Sequence, residues 1–256
     1  MNTLAFDIET VPDVAFGRTL YDADGLDDAD VARIMHFKQQ QARNTDFLPL
    51  PQHRVVTIAG VMRDHSGVRV FSLGGGLADE AEIVRRFFDG IEKFSPELVT
   101  WNGSGFDLPV LHYRAMRHEI EAARYWETGD SDREFRYNNY FSRYHWRHLD
   151  LMDVLSGFQH GARTSLDQMA TLLGFPGKLG MSGAHVWDYY QAGRIEEIDA
   201  YCETDAVNTY LVYLRFQRMR GVLDASRYQA EIELVRSTLT DAEGAHWTEF
   251  LSAWDG

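Results

Sequence analysis

Two acidic residues interrupt the first apolar run of this chain. Leu4-Ala5-Phe6-Asp7-Ile8 is followed by Glu9-Thr10-Val11-Pro12, and the short apolar run has the pattern of a buried strand. Alternate side chains of a strand share a face, so Asp7 and Glu9 leave one side while Phe6 and Ile8 enter the other. Two neighbouring carboxylates repel each other. The pair therefore belongs either to an edge strand with a solvated face or to a site where a cation sits between them, and hard oxygen ligands suit Mg²⁺ or Mn²⁺.

The rest of the chain narrows the choice. A length of 256 residues predicts one α/β domain with insertions. Hydrophobic and charged fractions of 45% and 25% exclude a disordered chain, a fibre or a disulfide scaffold. The single cysteine, Cys202, has no partner for an intramolecular disulfide. With no basic leader at the N-terminus and no apolar stretch of membrane-spanning length, a cytoplasmic protein without membrane association is expected.

Residues 54–62 and 68–73 predict two further strands around the turn Asp64-His65-Ser66-Gly67, the second ended by Gly74-Gly75-Gly76. The segment between strands one and two, about 13–53, is acidic and then Gln-rich, with one helical stretch near 28–42, and is expected to be an insertion. A helix over 79–94, a fourth strand over 97–101 and a helix from about Leu108 follow, with Pro109 suited to a first turn. Residues 146–149 predict a fifth strand leading into a helix near Leu151. Beyond it the chain is helical, with Ser165 and Gln168 at capping-box spacing, a long helix over 195–219 and a helical C-terminal extension at about 221–256. This order predicts an α/β fold, a mixed sheet with helices on both faces.

Two more acidic positions fall at suggestive places. Asn102-Gly103-Ser104-Gly105-Phe106-Asp107 lies between a strand and a helix, the edge where α/β sheets bind ligands. Ser104 and Asp107 also have capping-box spacing, and an acidic residue in a first turn is favoured by the helix dipole alone. Tyr201 and Asp205 share one face of the long helix, with Asn208 a turn further on.

Together, Phe6-Asp7-Ile8-Glu9-Thr10, Asn102 through Phe106-Asp107, and Tyr201-x-x-x-Asp205 resemble the three exonuclease motifs of the DEDD superfamily. The tyrosine matches the DEDDy branch, found in the proofreading domain of family B DNA polymerases. The histidine branch carries His five residues before the last Asp, where this chain has Ala200. The resemblance implies a ribonuclease-H-like, five-stranded mixed sheet, one exonuclease domain over 1–256, and a stand-alone enzyme cutting from the 3′ end. It also implies two divalent cations, Mg²⁺ or Mn²⁺, held by Asp7, Glu9, Asp107 and Asp205. Asp7 would bridge them, Glu9 and Asp205 would complete one site, and Asp107 would reach the second ion directly or through water. Tyr201, whose phenol ordinarily titrates near 10, would orient the attacking water.

The expected partner is single-stranded nucleic acid, DNA favoured over RNA. The formal net charge of −14 runs against a general affinity for phosphate backbones, so binding must be local, and bound cations would invert the potential of an acidic cleft. Residues 133–148 interleave Arg133, Arg136, Arg143 and Arg147 with Phe135, Tyr137, Tyr140, Phe141, Tyr144 and Trp146, the equipment of a single-strand track. Equally, Tyr144 and Trp146 could fill the core. Asn102, Phe106, Arg136, Arg143 and Asn208 are the candidate substrate contacts, and Lys178, in a Gly-rich linker, is expected to be a solvated lysine in preference to a phosphate contact. Alternatives are an exoribonuclease or oligonucleotide nuclease, and a non-catalytic nucleic-acid-binding module of the same fold. A dinucleotide-binding protein is disfavoured, because Thr10-Val11-Pro12 stands where a Gly-rich turn would be needed.

Overall fold

The computed structural model describes residues 2–74 and 79–255. Gly75 and Gly76, expected to help end the third strand, lie outside the described residues. The elements run β1 (Thr3–Pro12), α1 (Val14–Tyr21), α2 (Asp28–Arg43), β2 (His53–Asp64), β3 (Gly67–Ser72), α3 (Glu80–Phe94), β4 (Glu97–Thr100) and α4 (Asp107–Arg117). The second half contributes β5 (His148–Asp150), α5 (Leu151–Leu155), α6 (Leu166–Leu172), α7 (Val186–Gln191), α8 (Ile195–Met219), α9 (Ala225–Asp241) and α10 (Ala245–Asp255).

The five strands form one sheet in the order β3-β2-β1-β4-β5. β1 pairs antiparallel with β2, β2 antiparallel with β3, and β4 runs parallel to both β1 and β5. This is the mixed ribonuclease-H-like sheet anticipated above. Alternation along β1 divides the core. Leu4, Phe6 and Ile8 pack with Ile83, Phe87 and Leu111 of α3 and α4, whereas Ala5, Ala59 and Val99 face Cys202, Ala206 and Tyr210 of α8, with α9 and α10 behind it. Small side chains at Ala5, Cys202 and Ala206, all fully buried, let α8 lie close to β1, and the Cys202 thiol sits 3.4 Å from the Asp7 carbonyl.

Several local expectations are corrected. The insertion holds two helices, not one, since α1 precedes α2; Asp13 caps it by accepting from the Phe16 amide at 3.0 Å. α1 and α2 share a small core of Ala23, Val31, Met35 and Leu48, and Gly17 is required there because a Cβ would lie 2.4 Å from the Met35 sulfur. The insertion is fastened to the sheet by a buried ion network. Arg114 donates to Asp13 at 2.7 Å and to Glu80, whose other oxygen accepts from the Val55 amide at 2.6 Å.

The Ser104–Asp107 capping box does not form. α4 has Phe106 as its N-cap with no side-chain cap, because the Ser104 amide is directed to Asp150 instead. Ser165 does cap α6 by accepting from the Gln168 amide at 3.2 Å. The fifth strand starts two residues later than expected, at His148. Tyr144 and Trp146 are 74% and 44% exposed, so the core positions of this segment fall to Phe135 and Tyr140. Among the described residues no helix is long and apolar enough to cross a membrane.

Candidate metal and nucleic-acid site

β1 carries Asp7 and Glu9 onto the α8 side of the sheet. Opposite Glu9 the register with β2 shifts, Glu9 pairing Thr57 and Thr10 pairing Val55. The extra residue is Val56 on β2, and such a bulge bends the strand that holds it, here beside a carboxylate. From α8, Asp205 reaches the same space. One carboxylate oxygen each from Asp7, Glu9 and Asp205 lies within 4.8 Å of the others. Glu9 and Asp205 are buried and Asp7 is half-buried, and Asp205 Oδ1 is enclosed without a hydrogen-bond partner.

Burial and mutual repulsion dominate the electrostatics. Desolvation, then the Asp107, Glu9 and Asp205 carboxylates, push Asp7 well above the usual range. Burial and Asp205 do the same to Glu9, and burial raises Asp205 against the opposing pull of Lys178 and the Tyr201 hydroxyl beside it. Asp107, buried at the start of α4, lies outside the tight trio but near enough to raise Asp7. Burial raises Asp107 itself to about 7, partly offset by the amides of Asp107 and Ile8. Without a cation, these groups cannot all ionise cheaply at neutral pH.

Tyr201 is buried on the face of α8 that carries Asp205, and its phenol is pushed far up by burial and then by Asp205, Glu9 and Asp7. Lys178 donates to the Tyr201 oxygen at 2.5 Å and lies 3.9 Å from Asp205 Oδ2. The expectation of a solvated linker lysine is thereby corrected. Its linker is held in place by Asn208, fully buried, donating to the Gly177 carbonyl at 2.9 Å, and by Asp167, which accepts from the Lys178 amide at 2.8 Å.

The Asp107 loop is set by Asp150, the last residue of β5. Asp150 caps α5 through the Met152 and Asp153 amides and also accepts from Asn102 and Ser104 at 3.0 and 2.9 Å. Asn102 takes a left-handed φ of 69° and its carbonyl accepts from Gly105 and Phe106. Phe106 packs edge-to-face on His53, ring centres 5.1 Å apart.

Of the basic and aromatic segment, Arg136 and Arg143 are exposed. Arg143 lies over Phe158 at 4.7 Å and 3.8 Å from Asp153, which Arg163 grips at 2.5 Å. Ser104 and Asp150 line the same hollow of about 170 Å³ as Arg143 and Tyr144, so this face adjoins the Asp107 loop. His148 bonds Thr100 at 2.8 Å and is buried, while His145 accepts from the Asn139 amide at 3.0 Å.

The profile of a family described as "Predicted 3'-5' exonuclease related to the exonuclease domain of PolB" matches residues 45–254. Asp107, Tyr201 and Asp205 fall within the match, and Asp7 and Glu9 precede it. No curated protein matches the chain. Among solved structures, the family B DNA polymerase from the hyperthermophilic archaeon Pyrobaculum calidifontis is similar, with a TM-score of 0.53 and 20% identity over 85% of this chain. The chain spans 24% of that polymerase, and the likeness is one of fold.

Proposed function

Because the chain belongs to the family of predicted 3′-5′ exonucleases related to the exonuclease domain of PolB, we propose that it is a metal-dependent exonuclease of the tyrosine type acting on single-stranded nucleic acid, DNA in preference to RNA. The observation that carries this reading is the convergence of Asp7, Glu9 and Asp205 oxygens within 4.8 Å, with Asp205 Oδ1 buried and unpartnered. The donor set fits divalent Mg²⁺ or Mn²⁺: all ligands are carboxylate oxygens, and among the described residues the cation acting on them is Lys178.

Asp7, Glu9 and Asp205 would hold such ions, with Asp107 completing the set directly or through water. Bound there, two divalent ions lower the pKa of an attacking water and neutralise charge on the phosphoryl oxygens. The chain's own groups do the rest. Tyr201 stays a neutral phenol, so it orients the water by hydrogen bonding rather than removing its proton. Lys178 brings a positive charge to the same space, where an anionic phosphate would arrive. Asp150 fixes the loop that presents Asp107.

In the same reading the insertion at 13–53 and the helices beyond 221 are additions to one exonuclease domain. Asn102, Phe106, Arg136 and Arg143 guide the strand. Tyr137 and Tyr144, 81% and 74% exposed, offer stacking faces beside arginines. Asn208 serves the substrate through the Lys178 linker that it holds.

The test is to incubate 5′-labelled single-stranded DNA and RNA with Mg²⁺, Mn²⁺ or chelator. A ladder shortening from the 3′ end only with metal is expected, with DNA cut faster. Binding without cleavage of either strand would instead identify a non-catalytic module.

A further inference from the structure

β3 is an edge strand of the sheet, and its outer rim is bare. Its register with β2 runs from Asp64 opposite Gly67 to Ala59 opposite Ser72 without a shift. The Leu73 amide donates to the Ile58 carbonyl at 2.8 Å, and in an antiparallel ladder hydrogen-bonded pairs alternate with unbonded ones. Phe71, Arg69 and Gly67 therefore turn their backbone groups toward β2, and Val68, Val70 and Ser72 turn theirs outward. Among the described residues these three have no backbone partner on the outer side.

Natural sheets guard such a rim with a proline, a bulge or charged side chains. β3 contains no proline. Its one charged side chain, Arg69, leans inward over β2 and donates to Asp64 at 2.7 Å. The Phe71 ring also lies inward, across Gly60 of β2, where an added Cβ would meet its Cζ at 2.8 Å. On the opposite face Val68 and Val70 pack into the core with α8. The backbone is thus open to approach from the side.

Charge favours a like partner here. With a net charge of −14, two copies of the chain repel each other at large. Around this rim the charges are already paired, Asp64 with Arg69 and Arg63 with Glu231 of α9, each at 2.7 Å. The other edge strand, β5, is three residues long and runs directly into α5, so it offers no second rim on which association could propagate.

We infer that β3 pairs antiparallel with β3 of a second copy, about a two-fold axis at Val70. Val70 then lies opposite itself and Val68 opposite Ser72, so that each outward amide meets an outward carbonyl and a β-branched pair forms at the axis. The axis stands normal to the joined sheet, which puts α8 of both copies on one side. The joint lies two strands from β1 and does not cover Asp7 and Glu9. This inference rests on the sheet and not on the exonuclease reading.

Sedimentation of the full chain over a concentration series tests it, with residue-resolved amide exchange on the same samples. Expected is a mass of twice the 29.4 kDa chain that falls on dilution. Exchange at Val68, Val70 and Ser72 should be slowed roughly tenfold or more in the dimer and become fast as it dissociates. The amides of Arg69 and Phe71, bonded to β2, should stay slow throughout. Val70→Pro deletes the central outward amide where proline leaves the ladder to β2 intact, and should give a monomer whose folding is certified by slow exchange at Arg69 and Phe71. Val70→Thr keeps the amide and should keep the dimer. A single-chain mass at every concentration, a dimer whose Val70 amide exchanges freely, or a folded Val70→Pro dimer would each overturn the inference. A monomer with Val70 protected would overturn it too, and would mean that the chain covers its own rim.

Discussion

Lys178 Nζ donates to the Tyr201 hydroxyl at 2.5 Å, so the phenol that points at the carboxylates already has its oxygen engaged by a cation. Tyr201→Phe removes the hydroxyl but keeps the ring that packs with Val11, Val56 and Ile198. Cleavage should fall roughly 10²-fold, the low end of what a positioned proton-handling group contributes, while metal affinity holds. Single-turnover rates with isothermal metal titration would check both.

Asp7→Asn should separate stability from activity. Relieving repulsion among buried carboxylates should stabilise the metal-free protein, raising Tm by roughly 2–4 °C per kcal/mol relieved for a chain of this size. The same variant should lose cleavage and most of the Tm gain on adding Mn²⁺. Turnover at the wild-type rate would refute the site.

The pH dependence has a definite sign. Burial lifts Asp107 from an ordinary 3.8 to about 7, so between those values the folded chain holds a proton that the unfolded chain has released. Stability of the metal-free protein is therefore highest below about pH 4 as far as this group is concerned, falls as pH rises, and is fully reduced above pH 7. Asp7, Glu9 and Asp205 shift in the same direction. Melts in chelator should show a higher Tm at pH 5 than at pH 8, and Mn²⁺ should raise Tm more at pH 8. Asp13 works oppositely: burial raises it, but the Phe16 amide and Arg114 outweigh this and hold it low. Its contribution is lost only as pH falls below its ordinary 3.8.

Arg114→Ala would leave Asp13 and Glu80 as buried charges facing each other's vacated partner. Breaking such a network costs about 3–5 kcal/mol, and here it should also loosen the insertion. Denaturant titration would read the first, and faster proteolytic nicking within 13–53 the second.

Asp150→Ala removes an acceptor shared by four backbone amides. A loss of about 1–3 kcal/mol is expected from unsatisfied amides, together with a kcat drop as the Asp107 loop relaxes. Metal affinity at Asp7, Glu9 and Asp205 should change little, a split that a purely global destabilisation would not produce.

How much of this was legible beforehand follows from where the information sits. The bounds of α8 and the strand faces of β1 are written locally, in period and in flanking Gly193 and Pro12. α1 was missed although Asp13 stood ready as its cap, because Gly17 lowers helix propensity; the reason for that glycine, the Met35 sulfur, lies in another element. Lys178 could not be placed from a Gly-rich linker, since Asn208 and Asp167 define its position across the fold. The hold of Asp150 on the Asp107 loop was invisible in the sequence, because its amide partners at Asn102 and Ser104 belong to a distant segment. The carboxylates were individually ordinary in the sequence, and the structure adds the convergence of three of them.

The shift between Glu9 and Thr10 has a consequence for assembly. Sliding β1 by one residue against β2 would exchange its two faces, driving Asp7 and Glu9 among Phe87, Ile83 and Leu111 and lifting Phe6 toward α8. An extra residue accommodated at one defined place makes the two strands interlock at a single offset. The irregularity beside Glu9 thus proofreads the pairing of the sheet itself.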